Sequence, residues 1–432
     1  MQFMILLSGH PQKAQTPAAA DLRESEFQTV RGLYTDGLVQ QVWLRGDAGG
    51  ACMIVEAAST DEVAEKLGAL PLVREGYLQP PNDCAAEALF GLRSPLLTGK
   101  RAIKAVVLKE FGGPENLSLG DLPIPSAEPG TVLIRAVAAS VNPADVSISK
   151  GTPFSPVLPA VLGCDVAGVI ESVGDGVTGF APGDEVFGCV CGVRGSGGTL
   201  AEYVLADARL LARKPQALSM GEAAALPLVA ITAHEGMDRA GVSPAHHVLF
   251  HGGTGSVGHV AVQIAAARGA KVATTVSARS LATTLRIGAT TAIDYRAETV
   301  EAYVERLTRG AGFDVVFDTL GGPHLEQSFQ AAKNGGQIVS TMVLALLDLR
   351  PMHLKGLSLH VIFMLLPLLT GKGRERHGAI LREVAALADE GKFRPLVDDT
   401  RFTLATVAET YRRLQSRDAT GKVVIDIART AS

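Results

Sequence analysis

The feature that most constrains this chain is a glycine run between two apolar patterns of different period. His247-Val248-Leu249-Phe250 is a short apolar stretch, followed by Gly252-Gly253-Thr254-Gly255-Ser256-Val257-Gly258. The run holds G-x-G-x-x-G at Gly253, Gly255 and Gly258. Val257, Val260, Ala261, Ile264 and Ala265 then recur on one helical face, and Gly269 follows. The spacing predicts a strand, a tight turn and a helix that Gly269 ends. Such a turn has a chemical use. Glycine lets the backbone approach a pyrophosphate, and the helix start offers free N–H groups and the positive end of a dipole. A further apolar strand, Lys271–Val276, lies beyond, as a dinucleotide-binding unit requires. Gly252, Thr254, Ser256 and Val257 complete the candidate phosphate-binding turn.

The end of that further strand bears on cofactor choice. NAD sites place Asp or Glu there to hold the ribose hydroxyls. Here the residues are Thr275-Val276-Ser277-Ala278-Arg279, with no acid. Ser277 and Arg279 suit a 2′-phosphate, so the expected cofactor is NADPH.

Around this unit the pattern changes twice. Residues 1–85 read strand, helix, strand, strand, helix, strand, a ferredoxin-like α+β order. The strands are Phe3 to Leu7, Val39 to Leu44 and Ala51 to Ala57 about a turn at Gly46–Gly50. The helices run from about Ala18 to Tyr34 and from Ser59-Thr60. Residues 86–101 have little periodicity and read as a linker. From Lys104 short strands punctuated by Gly and Pro predict a barrel-like β body. Past Ile231 strands and helices alternate, the doubly wound pattern. The closing Gly421-Lys422-Val423-Val424-Ile425 strand is expected to rejoin the β body.

Composition excludes several classes. With Lys+Arg 40 and Asp+Glu 44 the net charge is −4, which argues against nucleic acid as partner. The five cysteines are an odd, sparse set, suited to a reducing cytosol rather than a disulfide framework. The first residues lack a basic region and cleavage site, so no signal peptide is read. The longest apolar run, Leu357 to Leu369, contains Ser358, His360 and Pro367 and is too short to span a bilayer. It reads as a buried strand and a helix start. A soluble cytoplasmic protein with no membrane partner is expected.

Residues 102–428 resemble the medium-chain dehydrogenase/reductase superfamily, in its zinc-independent quinone oxidoreductase (zeta-crystallin-like) branch. The matching segments include Val141-Asn142-Pro143-Ala144-Asp145, Gly163-Cys164-Asp165-Val166-Ala167-Gly168, Gly183-Asp184-Glu185-Val186, Ala201-Glu202-Tyr203-Val204, Ile293-Asp294-Tyr295-Arg296 and the closing Gly-Lys-Val-Val. The resemblance implies a Rossmann NADPH-binding domain, 231–379, inserted in a GroES-like catalytic domain, 102–230 and 380–432. It implies nicotinamide contacts from Asn142, Thr232, Gly321, Gly322, Ser340 and Thr341, with Tyr295 on the nucleotide side. Asn142 is also the candidate catalytic dipole toward a carbonyl oxygen. At the positions where zinc-dependent relatives hold Cys, His and Cys, this chain has Asn142, Cys164 and Leu228, so no metal is expected. Cys189 and Cys191 are only a pair. Cys164 reads as a core residue. The Tyr that follows the Asn in some quinone reductases is Ser147 here.

Residues 1–85 resemble muconolactone isomerase through Gly37, Val42-Trp43 and Leu70-Pro71-Leu72. Glu26 matches that family's helix acid, while the Lys that follows in relatives is Phe27. A carboxylate alone could abstract a proton, but the paired cation is missing, so a non-catalytic oligomerisation or binding module is expected, in a chain expected to form a homo-oligomer. Function then reads as NADPH-dependent hydride transfer to a small quinone or α,β-unsaturated carbonyl. The alternatives are a non-enzymatic NADPH-binding protein and a bifunctional isomerase–reductase of aromatic degradation.

Overall fold

The structure is a computed structural model that describes residues 2–8, 19–36, 38–44, 50–57, 59–78, 102–190, 192–416 and 419–427. The chain divides into two compact units, Met1–Arg101 and Ala102–Ser432.

The first unit is a three-stranded antiparallel sheet with Gly50–Glu56 central between Gln2–Ser8 and Val39–Leu44. Period-2 alternation sends Ile5, Leu7, Met53 and Val55 into one core, which the helices Ala20–Thr35 and Thr60–Gly68 help to fill through residues such as Val63 and Leu67. Ser59 is the N-cap of the later helix, its Oγ accepting from Glu62 N–H at 3.2 Å. Pro71–Arg74 then forms a helical turn. The expected last strand beyond it, the turn at Gly46–Gly50 and the linker at 86–101 fall wholly or mainly outside the described residues.

The second unit holds a seven-stranded sheet, a three-stranded sheet and a six-stranded sheet. In the seven-stranded sheet Thr131–Val141 is central. The closing strand Val423–Asp426 pairs with it antiparallel, Val423 opposite Val141 and Ile425 opposite Ala139. The chain end therefore does rejoin the β body. The six-stranded sheet is parallel, in the order Thr291–Asp294, Lys271–Val276, His247–His251, Phe313–Asp318, Ala332–Ser340, Ser358–Val361. Numbered along the chain this is 3-2-1-4-5-6, the dinucleotide-binding order. The strand order reverses between the parallel strands His247–His251 and Phe313–Asp318, which opens a crevice outside their carboxyl ends.

Two expectations need adjustment. The boundaries at 230/231 and 379/380 fall inside the helices Pro227–Arg239 and Arg374–Asp389. Both helices sit at the seam, where Ile231, Met237, Ile380 and Leu381 are buried in one continuous core. The run Leu357–Leu369 is not a buried strand. Ser358–Val361 is the last strand of the parallel sheet, so Val361 and Phe363 remain 46% and 43% exposed. Among the described residues no helix is long and apolar enough to cross a membrane.

Candidate functional site

The glycine turn sits where the crevice opens. His247–His251 is apolar because both faces of a parallel sheet are covered. Gly252 leaves the strand at φ +82°, which favours glycine. A Cβ at Gly253 would lie 2.1 Å from Thr274 Oγ1, and one at Gly258 would lie 2.1 Å from Gly252 O. The turn is therefore packed so closely that only glycine fits at either place. The helix Gly258–Ala267 begins here and is buried on several faces, since Val262 and Gln263 are covered as well as Val260 and Ile264. Its start lies at the carboxyl end of the strand and has no side-chain cap, the His259 N–H being bonded within the turn to Gly255 O at 3.1 Å. His259 braces the turn. Its Nδ1 donates to Gly255 O at 2.9 Å, and burial lowers its pKa to about 4, so the ring is neutral.

The other expected cofactor residues lie along the same carboxyl edge. Ser277, Arg279 and Tyr295 cluster at the ends of neighbouring strands, with Tyr295 N–H bonded to Val276 O at 3.3 Å. Arg279 is exposed, Tyr295 is half-exposed, and the Arg296 guanidinium lies 5.5 Å from the Tyr295 ring centre. On the other side, Gly321 and Gly322 have φ of +69° and +57°. Asp318 Oδ1 accepts from Leu320 N–H at 2.8 Å and Gly321 N–H at 3.0 Å, which fixes that loop. A Cβ on Gly321 would strike Met342 O at 2.3 Å, so this loop packs against the segment that follows Ser340 and Thr341. From Thr291–Asp294 to Ala332–Ser340 is four strand spacings, roughly 19 Å.

Beside the crevice lies a buried polar cluster built from three segments. Asn142 precedes the helix Pro143–Ser149, and its backbone N–H donates to Asp145 Oδ2 at 2.7 Å. Asn142 Nδ2 donates to Asp165 Oδ2 at 2.9 Å and to Asp145 Oδ2 at 3.3 Å. Its Oδ1 accepts from Lys422 Nζ. Asp165 Oδ2 also accepts from Ser140 Oγ at 2.9 Å, and Asp165 Oδ1 accepts from Leu228 N–H at 2.9 Å. That last bond caps the helix Pro227–Arg239, which carries Thr232 one turn on, its Oγ1 bonded to Leu228 O at 2.7 Å. Lys422, Asp165 and Asn142 are all fully buried.

This geometry bears on two expectations. Asn142 has no exposed surface, and both amide protons and its oxygen are engaged. In this structure it offers no free dipole to a substrate carbonyl. The candidate metal positions do not fit zinc. Leu228 contributes only a backbone N–H, and an ammonium sits on Asn142. The Cys164 thiol, its pKa held far above the usual range by hydrogen bonding to Cys189 and by burial, donates to Asp145 Oδ1 at 3.2 Å. Burial raises Asp145 itself to about 6.

The sequence reading overlooked Asp145, Asp165, Lys422 and His259 as site residues. A signal existed for Asp165 and Lys422, because each interrupts an apolar strand pattern, and a buried charge demands a partner. In the first unit Glu26 is buried and accepts from Leu72 N–H at 2.8 Å, with its pKa raised by desolvation. Its neighbour Phe27 is 61% exposed.

Comparison with known proteins agrees with this architecture. Residues 128–216 match the alcohol dehydrogenase GroES-like domain, and residues 287–425 match the zinc-binding dehydrogenase family. The chain is 34% identical over 333 residues to the 2-methylene-furan-3-one reductase of Solanum lycopersicum, covering 75% of this chain and 79% of that protein. It is 33% identical over 336 residues to the chloroplastic NADPH-dependent alkenal/one oxidoreductase of Arabidopsis thaliana, covering 75% and 80%. It is 30% identical over 335 residues to the quinone oxidoreductase of Homo sapiens, covering 76% and 99%. Among solved structures, an alcohol dehydrogenase superfamily protein from Novosphingobium aromaticivorans superposes with a TM-score of 0.73 at 41% identity, covering 76% of this chain and all of that one. A mycobacterial protein solved with NADPH superposes with a TM-score of 0.66 at 27% identity, covering 75% and 99%. With a parallel sheet in dinucleotide-binding order joined to a GroES-like body, the chain belongs to the medium-chain dehydrogenase/reductase superfamily.

Proposed function

We propose that this chain is an NADPH-dependent reductase of quinones or α,β-unsaturated carbonyls that works without zinc. The observation that carries the reading is the closely packed glycine turn at the topological switch point, beside a buried cluster that holds a lysine where a metal would need ligands. The cradle fits a dinucleotide, because Gly253 and Gly258 have no room for a side chain and the start of the helix Gly258–Ala267 faces the crevice. Bound NADPH supplies the hydride.

The chain's own residues then have defined tasks. The backbone of residues 252–258 holds the pyrophosphate, and Ser277 and Arg279 hold the 2′-phosphate, with Tyr295 beside them. Thr232, Gly321, Gly322, Ser340 and Thr341 surround the nicotinamide, and Asn142 fixes the wall behind it. In conjugate reduction the hydride reaches the carbon β to the carbonyl and water protonates the α carbon, so no protein acid is required. Alcohol oxidation would need a group to take the hydroxyl proton, and the carboxylates of the cluster, Asp145 and Asp165, are buried and bonded within it. Ser147, bonded to Pro143 O at 3.1 Å, offers no aromatic ring to a quinone, which favours enones.

Residues 1–85 are read as a muconolactone isomerase-like module, followed by a linker and a GroES-like domain interrupted by a Rossmann domain, with the seam at the helices Pro227–Arg239 and Arg374–Asp389. The first module is read as non-catalytic, an oligomerisation or binding module, since the Glu26 carboxylate is bonded to Leu72 N–H and has Phe27, not Lys, beside it. Steady-state NADPH oxidation with a panel of enones and quinones tests the reading. Turnover of at least one class supports it, and tight NADPH binding without any turnover would leave a non-enzymatic binder.

A further inference from the structure

The dipeptide Gly421-Lys422 joins two parts of the site that the chain keeps far apart in sequence. Gly421 reaches the glycine turn. Its N–H donates to Thr254 O at 3.3 Å, and its carbonyl accepts from Ser256 Oγ at 3.3 Å. Its φ is +72°, and a Cβ would lie 2.1 Å from Leu396 O, so glycine is required there. Lys422 belongs to the barrel side. Its ammonium donates to Val141 O at 3.2 Å, to Asp165 Oδ2 at 3.3 Å and to Asn142 Oδ1. An ammonium has three protons, and all are used. Through Asp165 the same cation is linked to Leu228 N–H, at the head of the helix that carries Thr232.

Stability alone does not account for a lysine at this place. Burying an ion pair is expensive, and apolar replacements of similar volume are often neutral or better. A methylene chain without charge would fill the space but would leave Asn142 Oδ1 without its donor and Asp165 without its cation, with the amide held only through its nitrogen. We infer that Lys422 is a positioning residue for hydride transfer: a fixed internal cation that sets Asn142 and the Thr232 helix against the pyrophosphate turn. The inference rests on the reductase reading. The cation touches neither cofactor nor substrate. It acts by fixing the distance between the turn that grips one end of the dinucleotide and the wall behind the other end.

The test uses the full-length protein, with Lys422→Met, Lys422→Arg and Asn142→Ala. Turnover is measured with the best enone or quinone, and NADPH affinity is measured separately by fluorescence titration. Lys422→Met is expected to lower kcat on the order of 100-fold, the cost of a misplacement near 1 Å, with little change in NADPH affinity. Lys422→Arg restores part of the loss. Asn142→Ala lowers kcat as well, and the loss in the double variant is less than additive, because both act through one contact. Should Lys422→Met fail to fold, Asn142→Ala decides the matter, since it removes the same contact and leaves the Lys422–Asp165 pair. A folded Lys422→Met that keeps wild-type kcat would overturn the inference. So would variants in which kcat per folded molecule is unchanged while melting temperature and NADPH affinity fall together. If the wild type itself turns over no enone or quinone, the reductase reading fails first, and the two failures are told apart.

Discussion

Replacing Gly258 by alanine isolates what the glycine turn does. The added Cβ would lie 2.1 Å from Gly252 O and 2.9 Å from the Gly252 carbonyl carbon. Carbon–oxygen contacts settle at about 3.3 Å, so the turn must open by about 1 Å. Both atoms struck are backbone, so no side chain can swing away. The turn bond from Gly255 N–H to Gly252 O, 2.9 Å long, is lost, and the N–H groups that face the pyrophosphate shift with it. A hydrogen bond to a charged group contributes about 1.5–3 kcal/mol. Losing one or two weakens NADPH binding by about 3 kcal/mol, on the order of 100-fold in Kd. Gly255→Ala is the comparison. Its Cβ would meet only Gly252 O, at 3.2 Å, a contact relieved by a few tenths of an ångström. It stands on the exposed side of the turn, so it should hinder NADPH without destabilising the ligand-free protein. Fluorescence titration with NADPH, with thermal denaturation of both variants without ligand, reads these effects apart. Gly258→Ala should lose affinity and melting temperature, and Gly255→Ala affinity alone. Wild-type NADPH affinity in Gly258→Ala would refute the assignment of the turn.

Further outcomes follow from other parts of the molecule. Arg279→Glu should cost NADPH about 1–3 kcal/mol through the 2′-phosphate and leave NADH nearly untouched, read as the ratio of kcat/KM for the two cofactors; an unchanged ratio would make Arg279 a surface residue. Asp145 titrates near 6 when folded against 3.8 as a free side chain, so the wild type loses about 3 kcal/mol as pH rises through that window. Asp145→Asn, which does not titrate, should gain on the wild type by that amount between pH 4 and pH 7 in denaturant unfolding; a pH-independent difference would mean that Asp145 ionises normally. A chain beginning at Thr98 should fold, bind NADPH and keep turnover while sedimenting as a smaller oligomer; loss of turnover with intact binding would place the first module in the active site.

The sequence carried the cofactor half of the site more clearly than the substrate half, for a physical reason. A pyrophosphate turn depends on the absence of side chains, and Gly253, Gly255 and Gly258 show that directly. The residues behind it depend on partners distant in the chain. Lys422 reaches Asn142 across 280 positions and Asp165 across 257, and no local pattern encodes such a pairing. Asn142 shows the limit well. Its place before Pro143 was legible, but whether its amide turned to the substrate or to a buried ammonium depended on Lys422. The edge position of Ser358–Val361 was hidden similarly, because an apolar run reads alike in a central strand and in an edge strand beside exposed Val361 and Phe363.

The most direct test of the central claim follows the hydride itself. Chelator-treated protein is incubated with an enone and NADPH deuterated at the transferable position, and the product is analysed by mass spectrometry and NMR. Zinc-independent conjugate reduction gives one deuterium on the carbon β to the carbonyl, a solvent-derived proton on the α carbon, an intact carbonyl, and a rate unaffected by the chelator. Deuterium on the carbinol carbon of an alcohol product, or activity that returns only with added zinc, would contradict it.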